Sequence, residues 1–519
     1  MTAPSPTQPP ANAAAKINTL EDIGKAVEMA RAEGRRVVLA HGVFDILHIG
    51  HIRHLEEARS HGDLLVVSVT PDRFVNKGPG RPVFGELVRA EMLAALSFVD
   101  HVGLNVGPTA EPAIQAIKPD VYVKGSDYAD MASDVTGKIV DERRAVERFG
   151  GKVVFTDDVT HSSSSLINRF FNPFEPHVRQ FVEGLRARDE QQEILDLIDR
   201  VETMRILVVG DAIIDEYRYV TPMGRAPKEN LVTVLNQSSE VFAGGVFATA
   251  NHVSTFCRQV DVLTVFGAQD SYREFVEGKL NPNVGLIGLE RSDAPTTRKS
   301  RYIDAASVRK LFETYHMVDK PVADDVEQQI NGRLAEIAGD YDVVIVNDFG
   351  HGMIKPSTID MLTRHARFLA VNTQTNSANY GFNLITKYPR PDYICIDALE
   401  ARLAIGDQHG SVEDLITRGL ALQQPKSKIA VTHGRIGCQV YAPDEATTQI
   451  PAFADRVADT MGAGDAFLAI TAPLVAAGGR MRTVGFLGNI AGAIQVGIVG
   501  HRTSVDKVMM IKAVISMLK

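Results

Sequence analysis

The chain has 519 residues, too many for one ordinary domain, and its 45% hydrophobic content supports large buried cores. A formal net charge of −9, with no basic block, argues against wholesale nucleic-acid binding. Three scattered cysteines, Cys257, Cys395 and Cys438, form no metal-ligand spacing and point to buried thiols in a reducing, cytoplasmic compartment.

Residues 1–16 are rich in Ala, Pro and Thr, without an apolar core or a basic start. A disordered tail is predicted there rather than a signal peptide. From 17 to 175, short Val-rich runs (VVLAHGVF, DLLVVSV, DHVGLNV, DVYVKG, KVVFTDD) alternate with helical segments. That pattern predicts a parallel α/β sheet. The first of these strands runs into His48-Ile49-Gly50-His51, which opens a helix. Histidines three apart in a first turn share a face. They also sit beside free backbone N–H groups that favour anions. Gly50 removes a side chain and lets a phosphate approach the backbone. Taken bare, the pair is as readily structural or metal-binding.

The string HGVFDILHIGH resembles the signature of the nucleotidyltransferase superfamily, which includes cytidylyltransferases and the adenylyltransferase of heptose phosphate. The ILH wording is most similar to the heptose enzyme. The resemblance implies a Rossmann-like fold in which His48 and His51 stabilise a pentacoordinate α-phosphate. It further implies nucleotide contacts from Gly42, Phe44 and Gly50, and a substrate contact from Asp45. Lys77, in the glycine-flanked loop NKGPGRPVFG, resembles the family's cation for the β and γ phosphates, and Arg81 and Arg89 resemble its next positions. VKGSDY supplies Lys124, Gly125 and Asp127, and THSSSSLINRF supplies Ser163 and Ser164 at a predicted helix start. The implied reaction is attack by a sugar- or polyol-phosphate oxygen on the α-phosphate of ATP or CTP, with Mg²⁺ present and pyrophosphate leaving.

Residues 176–203 are charged and helical in character and are predicted to form a linking helix. Residues 204–519 open a second α/β unit, with strands at RILVVGD, VDVLTVFG, YDVVIVNDFG, RFLAVNT, DYICIDA and KIAVTHG. The stretch Thr483–Gly500 carries no charge, but its glycines, Asn489 and Gln495 predict a buried helix rather than a membrane span. In ADTMGAGDAF, Gly462, Ala463 and Gly464 would let backbone N–H groups converge at a helix start, with Asp465 placed to take a hydroxyl proton. No Walker A string is present.

The full DTMGAGDAF string resembles the ribokinase family of sugar kinases, which implies Mg²⁺–ATP, a sugar acceptor and a homodimer or higher homo-oligomer. Asp211 and Asp215 (in GDAIIDEY) and Gly244-Gly245 resemble its sugar-side residues. Thr432, Gly434 and Gly437 (in VTHGRIG), Asn489 and the GHRTSV stretch resemble its nucleotide side. Three positions depart from the pattern. Ala248 stands where a sugar-binding Asn is expected, with Asn251 as the substitute. Asp397-Ala-Leu-Glu400 replaces the metal-associated Asn-x-x-Glu, leaving Asp397 and Glu400 to act on Mg²⁺ indirectly. Asn372-Thr-Gln-Thr-Asn-Ser replaces an Asp-Pro-Lys and removes a cation.

Together the halves resemble the bifunctional ADP-heptose synthases in reversed order, the transferase preceding the kinase. The implied partners are a sugar phosphate and a nucleoside triphosphate, with no nucleic acid and no membrane. Two other readings remain open from sequence: a CTP-dependent enzyme for a sugar or polyol phosphate, and a transferase carrying a non-catalytic ribokinase-like module.

Overall fold

The computed structural model describes residues 11–75, 81–125, 138–156, 175–307, 309–454 and 457–518. Its contacts divide the chain into two units, residues 1–174 with 511–519 and residues 175–510.

The first unit is built on a six-stranded parallel sheet. Its strands are β1 (Ile17–Asn18), β2 (Val37–Gly42), β3 (Leu64–Val69), β4 (His101–Leu104), β5 (Val121–Gly125) and β6 (Lys152–Thr156), in the order β1-β4-β3-β2-β5-β6. Successive residues of one strand fill opposite cores. Val38 and Ala40 pack with Leu65, Val67 and Val123, while Val37 and Leu39 pack with Leu64, Val66 and Tyr122. Burial on both faces explains why these strands read as continuous apolar runs. The chain moves from β2 to β3 on one side and later adds β5 on the other, so the strand order reverses between β2 and β5. Such a switch point opens a crevice at the carboxyl ends of the strands. His48 follows β2, and Lys124 and Gly125 end β5.

The second unit holds a nine-stranded sheet and a separate four-stranded one. The large sheet comprises β7 (Arg205–Gly210), β10 (Gln259–Gln269), β11 (Val284–Pro295), β14 (Val343–Asp348), β15 (Leu369–Thr373), β16 (Tyr393–Asp397), β17 (Lys428–Thr432), β18 (Cys438–Ala442) and β19 (Glu445–Ile450). Its order is β11-β10-β7-β14-β15-β16-β17-β18-β19, parallel as far as β17 and antiparallel beyond. The order reverses between β7 and β14, which puts Asp211 and Asp348 at a second switch point. The small sheet, β13-β12-β8-β9, is made of β8 (Ala212–Arg225), β9 (Val232–Gly245), β12 (Thr297–Asp304) and β13 (Arg309–His316).

The segment expected to be one linking helix is two, Pro176–Arg186 and Gln191–Arg200. The break contains Asp189 at φ +53°, a left-handed conformation that no helix interior accepts. Both helices are grouped with the second unit, burying Val178, Val182, Leu185, Ile194, Leu197 and Ile198, and Phe181 packs against Phe453 and Phe486. The uncharged stretch near the C-terminus forms the buried helix Met481–Gln495. Among the described residues no helix is long and apolar enough to cross a membrane. All three cysteines are buried as free thiols, and burial pushes Cys257 and Cys395 up to about 12 and Cys438 higher still.

Candidate active sites

In the first unit, His48 is the N-cap of helix Ile49–Ser60, and its Nδ1 accepts the Gly50 N–H at 3.1 Å. An imidazole nitrogen that accepts a hydrogen bond carries no proton, so in the neutral ring the proton sits on Nε2. The His51 ring lies 4.0 Å from that of His48, and Phe44 meets it edge-on at 5.3 Å. Phe44 itself takes φ +49°, and its ring fills the space over Gly42.

Two expected ligand contacts, Asp45 and Arg89, are engaged by protein partners. Asp45 is fully buried and accepts Arg81 Nη1 at 3.1 Å, Val83 N–H at 2.7 Å and Phe84 N–H at 3.3 Å. It fixes the 81–84 stretch against the loop that precedes His48. Arg89 is also fully buried, and its guanidinium donates to the carbonyls of Val43, Phe84 and Thr70 and to the Asp72 carboxylate. With four of five donors spent on protein, it ties the loop after β2 to the loop after β3. Arg81 keeps one buried nitrogen, Nη2, without a partner among the described residues. Burial lowers its pKa against the opposing pull of Asp45. Lys124 pairs with Glu142 at 3.0 Å, and Glu142 also accepts Tyr122 Oη and the Ala110 N–H. Burial works against ionisation of Glu142, but Lys124, His41 and the Ala110 N–H together bring its pKa below the ordinary value. Gly125 follows at the strand end. Lys77, Asp127, Ser163 and Ser164 lie outside the described residues.

In the second unit, helix Ala463–Ala476 starts from Gly462 at φ +74°. A side chain there would be strained by that φ, and its Cβ would stand 2.5 Å from His501 Cε1. The first-turn N–H groups of Ala463, Gly464 and Asp465 have no intrahelical partner, which makes a ready anion site. Asp465 is buried, with Asn347 Nδ2 and Gln374 Nε2 each 3.4 Å from one carboxylate oxygen. Burial lifts its pKa to about 6.

Asp215 is buried between Arg301 Nη1 and His501 Nε2, the latter at 3.6 Å. Burial opposes its charge, but Arg301 and His501 hold the carboxyl well below the usual range. Gly244 leaves the room this carboxylate occupies; a Cβ there would collide with it. Gly245 ends β9 beside Phe349.

Asp211, expected on the sugar, accepts the N–H groups of Phe349, His351 and Met353 at 3.2–3.4 Å and so holds the loop after β14. Burial, together with nearby Asp348, raises it to about 6. Asn251, expected in place of the missing Asn, donates its amide to Lys279 O at 3.0 Å and accepts the Asn281 N–H at 2.9 Å. Asn489 likewise spends its amide on Ile450 O and Pro451 O, at 3.0 and 2.9 Å. Thr432 ends β17, with Gly434 and Gly437 in the turn that follows. Asp397 and Glu400 form a capping box on helix Ala398–Ile405, each accepting the other's N–H at 2.8 Å. Burial and Asp397 raise Glu400 to about 8. Among the described residues no cluster of three metal-ligating side chains occurs.

Sequence reasoning missed the cations of this site. Lys299 and Arg301 alternate along β12 and share a face, and Lys299 is buried over the rings of Tyr315 and Phe349. They bring positive charge beside Asp215. The signal was present as RKSR, basic residues at strand spacing in a run not recognised as a strand. His501, read with the adenine-side stretch, instead abuts Gly462 and Asp215.

Comparison with known proteins agrees with both halves. A cytidylyltransferase-like family matches residues 39–170 and the pfkB family carbohydrate kinases match residues 204–508, which establishes the transferase-first order. The bifunctional protein HldE of Syntrophotalea carbinolica is 38% identical over 163 residues, 31% of this chain and 32% of that one. Its namesake in Methylobacillus flagellatus is 42% identical over 165 residues, with the same shares. The chain thus spans about a third of the length of these relatives, matching through its N-terminal part. The crystal structure of phosphofructokinase-2 from Escherichia coli in complex with potassium superposes with a TM-score of 0.50 over 61% of this chain and 100% of that one. At 14% identity that likeness is one of fold alone. With more than half its length matched, the chain belongs to the pfkB family of carbohydrate kinases, and carries a cytidylyltransferase-like domain ahead of the kinase domain.

Proposed function

We propose that the chain is a bifunctional enzyme that phosphorylates a sugar phosphate and activates a sugar 1-phosphate as a nucleotide sugar of the ADP-heptose kind, releasing pyrophosphate. One observation carries the reading: each unit opens a helix at a switch point beside side chains suited to its own phosphorus chemistry. These are His48 and His51 in the first unit and Asp465 in the second.

In the transferase unit, a phosphate oxygen of the sugar attacks the α-phosphate of a nucleoside triphosphate. The nucleophile is already ionised at neutral pH, so no strong base is needed. Catalysis is positioning and charge stabilisation. His48 Nε2–H, with Nδ1 spent on the helix cap, donates to the α-phosphate oxygens, and His51 stands beside it. Lys77 and the open nitrogen of Arg81 serve the departing phosphates.

In the kinase unit, a sugar hydroxyl attacks the γ-phosphorus of ATP and gives its proton to Asp465. A carboxyl near 6 is ionised at working pH yet basic enough for that task. The Gly462–Gly464 amides hold the transferring phosphoryl group. Asp397 and Glu400 would hold the waters of Mg²⁺, which supplies charge neutralisation on the nucleotide phosphates. Heptose is favoured as the sugar by the HldE relatives and by the ILH wording at His48.

The test offers ATP, CTP, GTP and UTP against a panel of sugar and polyol 1-phosphates and follows pyrophosphate. ADP release from ATP with a heptose monophosphate is assayed alongside. Turnover with ATP and a heptose 1-phosphate is expected. Turnover confined to CTP would transfer the chain to another activated sugar or polyol. Absence of any phosphotransfer would leave the second unit as a binding module.

A further inference from the structure

Two loops meet at the start of helix Ala463–Ala476, and two side chains clamp them together. Asp459 accepts the Met461 N–H at 3.1 Å on one carboxylate oxygen and the Gly500 N–H at 2.9 Å on the other. Gln495 Nε2 donates to Gly500 O at 2.8 Å and to Met461 O at 3.4 Å. The residues that follow these anchors, Gly462 and His501, are thereby fixed against each other. A Cβ on Gly462 would stand 3.1 Å from His501 Nδ1.

The His501 side chain is 8% exposed. Its Nε2 faces the Asp215 carboxylate at 3.6 Å, and Phe242 packs near its ring at 6.5 Å. Its Nδ1 is buried without a partner among the described residues. An orphaned buried nitrogen costs roughly 1–3 kcal/mol and calls for an explanation, of which an incoming ligand is one. Here it borders the amides of a helix start, where an anion belongs.

Resting on the kinase reading, we propose that His501 is a further catalytic residue of phosphoryl transfer, its Nδ1–H donating to an oxygen of the γ-phosphoryl group held over Gly462. Asp215 takes the Nε2–H and orients the ring. In the step, the sugar hydroxyl oxygen forms the new bond to the γ-phosphorus. The bond from that phosphorus to the β,γ-bridging oxygen breaks, and its electron pair leaves with ADP. The hydroxyl proton passes to Asp465; His501 keeps its own and stabilises charge on a non-bridging oxygen.

The test uses full-length His501→Gln, His501→Asn and His501→Ala with Mg²⁺–ATP and a heptose monophosphate, thermal unfolding being recorded for each. Asn returns an N–H near the Nδ1 position, whereas Gln reaches toward Asp215. His501→Gln and His501→Ala are expected to lower kcat by about 10²-fold with sugar KM within about threefold, and His501→Asn to recover about tenfold of the loss. Near-normal kcat in the Ala variant, a loss carried by KM alone, or an Asn variant no better than Gln would overturn the role. A wild-type chain that phosphorylates no sugar of the panel would remove the kinase reading and this role together. An active wild type with an unimpaired Gln variant removes only the latter.

Discussion

The rings of His48 and His51 stand 4.0 Å apart, tilted by 30°, while His48 Nδ1 is held by the Gly50 N–H. In the proposed transfer the Nε2–H of His48 donates to the α-phosphate, the Gly50 bond setting the tautomer. His48→Ala is expected to lower pyrophosphate-releasing turnover by about 10²–10³-fold and to leave kinase kcat unchanged. Pyrophosphate and ADP release measured on one preparation check this; parallel loss of both in folded protein would refute independent sites.

Arg89 joins the carbonyls of Val43, Phe84 and Thr70 to Asp72. Arg89→Met strands those buried carbonyls and is expected to cost on the order of 3 kcal/mol in unfolding free energy. Arg89→Lys restores little, because one ammonium cannot span four acceptors. Denaturant melts of the three proteins decide the matter. A nucleotide contact would instead raise the nucleotide KM and leave the melts alike.

Asp465 is raised by burial from 3.8 to about 6. For the kinase reaction, kcat/KM is expected to fall about tenfold per pH unit below pH 6, as the base is protonated. The same shift bears on stability. A carboxyl raised in the fold contributes stability that is present below its unfolded pKa and lost as pH rises through about 6. Asp465→Asn should therefore abolish kinase turnover yet stabilise the protein at pH 8 by on the order of 3 kcal/mol, with a smaller gain at pH 5. Melting curves at the two pH values test the sign; an equal gain at both would exclude burial of the charge as its origin.

Gly244→Ala pushes a methyl group into the Asp215 carboxylate and its pairing with Arg301. Kinase turnover is expected to fall by about 10²-fold while the melt shifts by about 1–3 kcal/mol, the usual cost of overpacking. An unchanged sugar KM and kcat would mean that Asp215 has no part in the site.

The parallel strands β2 to β5, β7, β10 and β14 to β17 were legible because their burial writes them as apolar, mostly Val- and Ile-rich runs, and the half-buried β6 because it keeps a Val-Val-Phe run. The small sheet was not. The far ends of β8 and β9 are exposed, and MGR and LNQSSE carry no apolar run to betray a strand. The helix-opening motifs were legible because glycine and histidine at fixed spacing announce an anion site within a dozen residues. Long-range pairings left no such trace. Asp45 meets Arg81 thirty-six residues on, and Asp215 meets Arg301 eighty-six residues on. For that reason the protein partners of Asp45, Asp211, Arg89, Asn251 and Asn489 could not be read from sequence, Lys299 and Arg301 went unassigned, and His501 was read with the nucleotide-side stretch rather than beside Asp215.

The burial of Cys257, Cys395 and Cys438 has a practical side. With their thiols held protonated at neutral pH, the protein should resist maleimide labelling, and it contains no Trp. A single Cys or Trp introduced on the exposed end of the β8–β9 hairpin would therefore report alone, against a silent background.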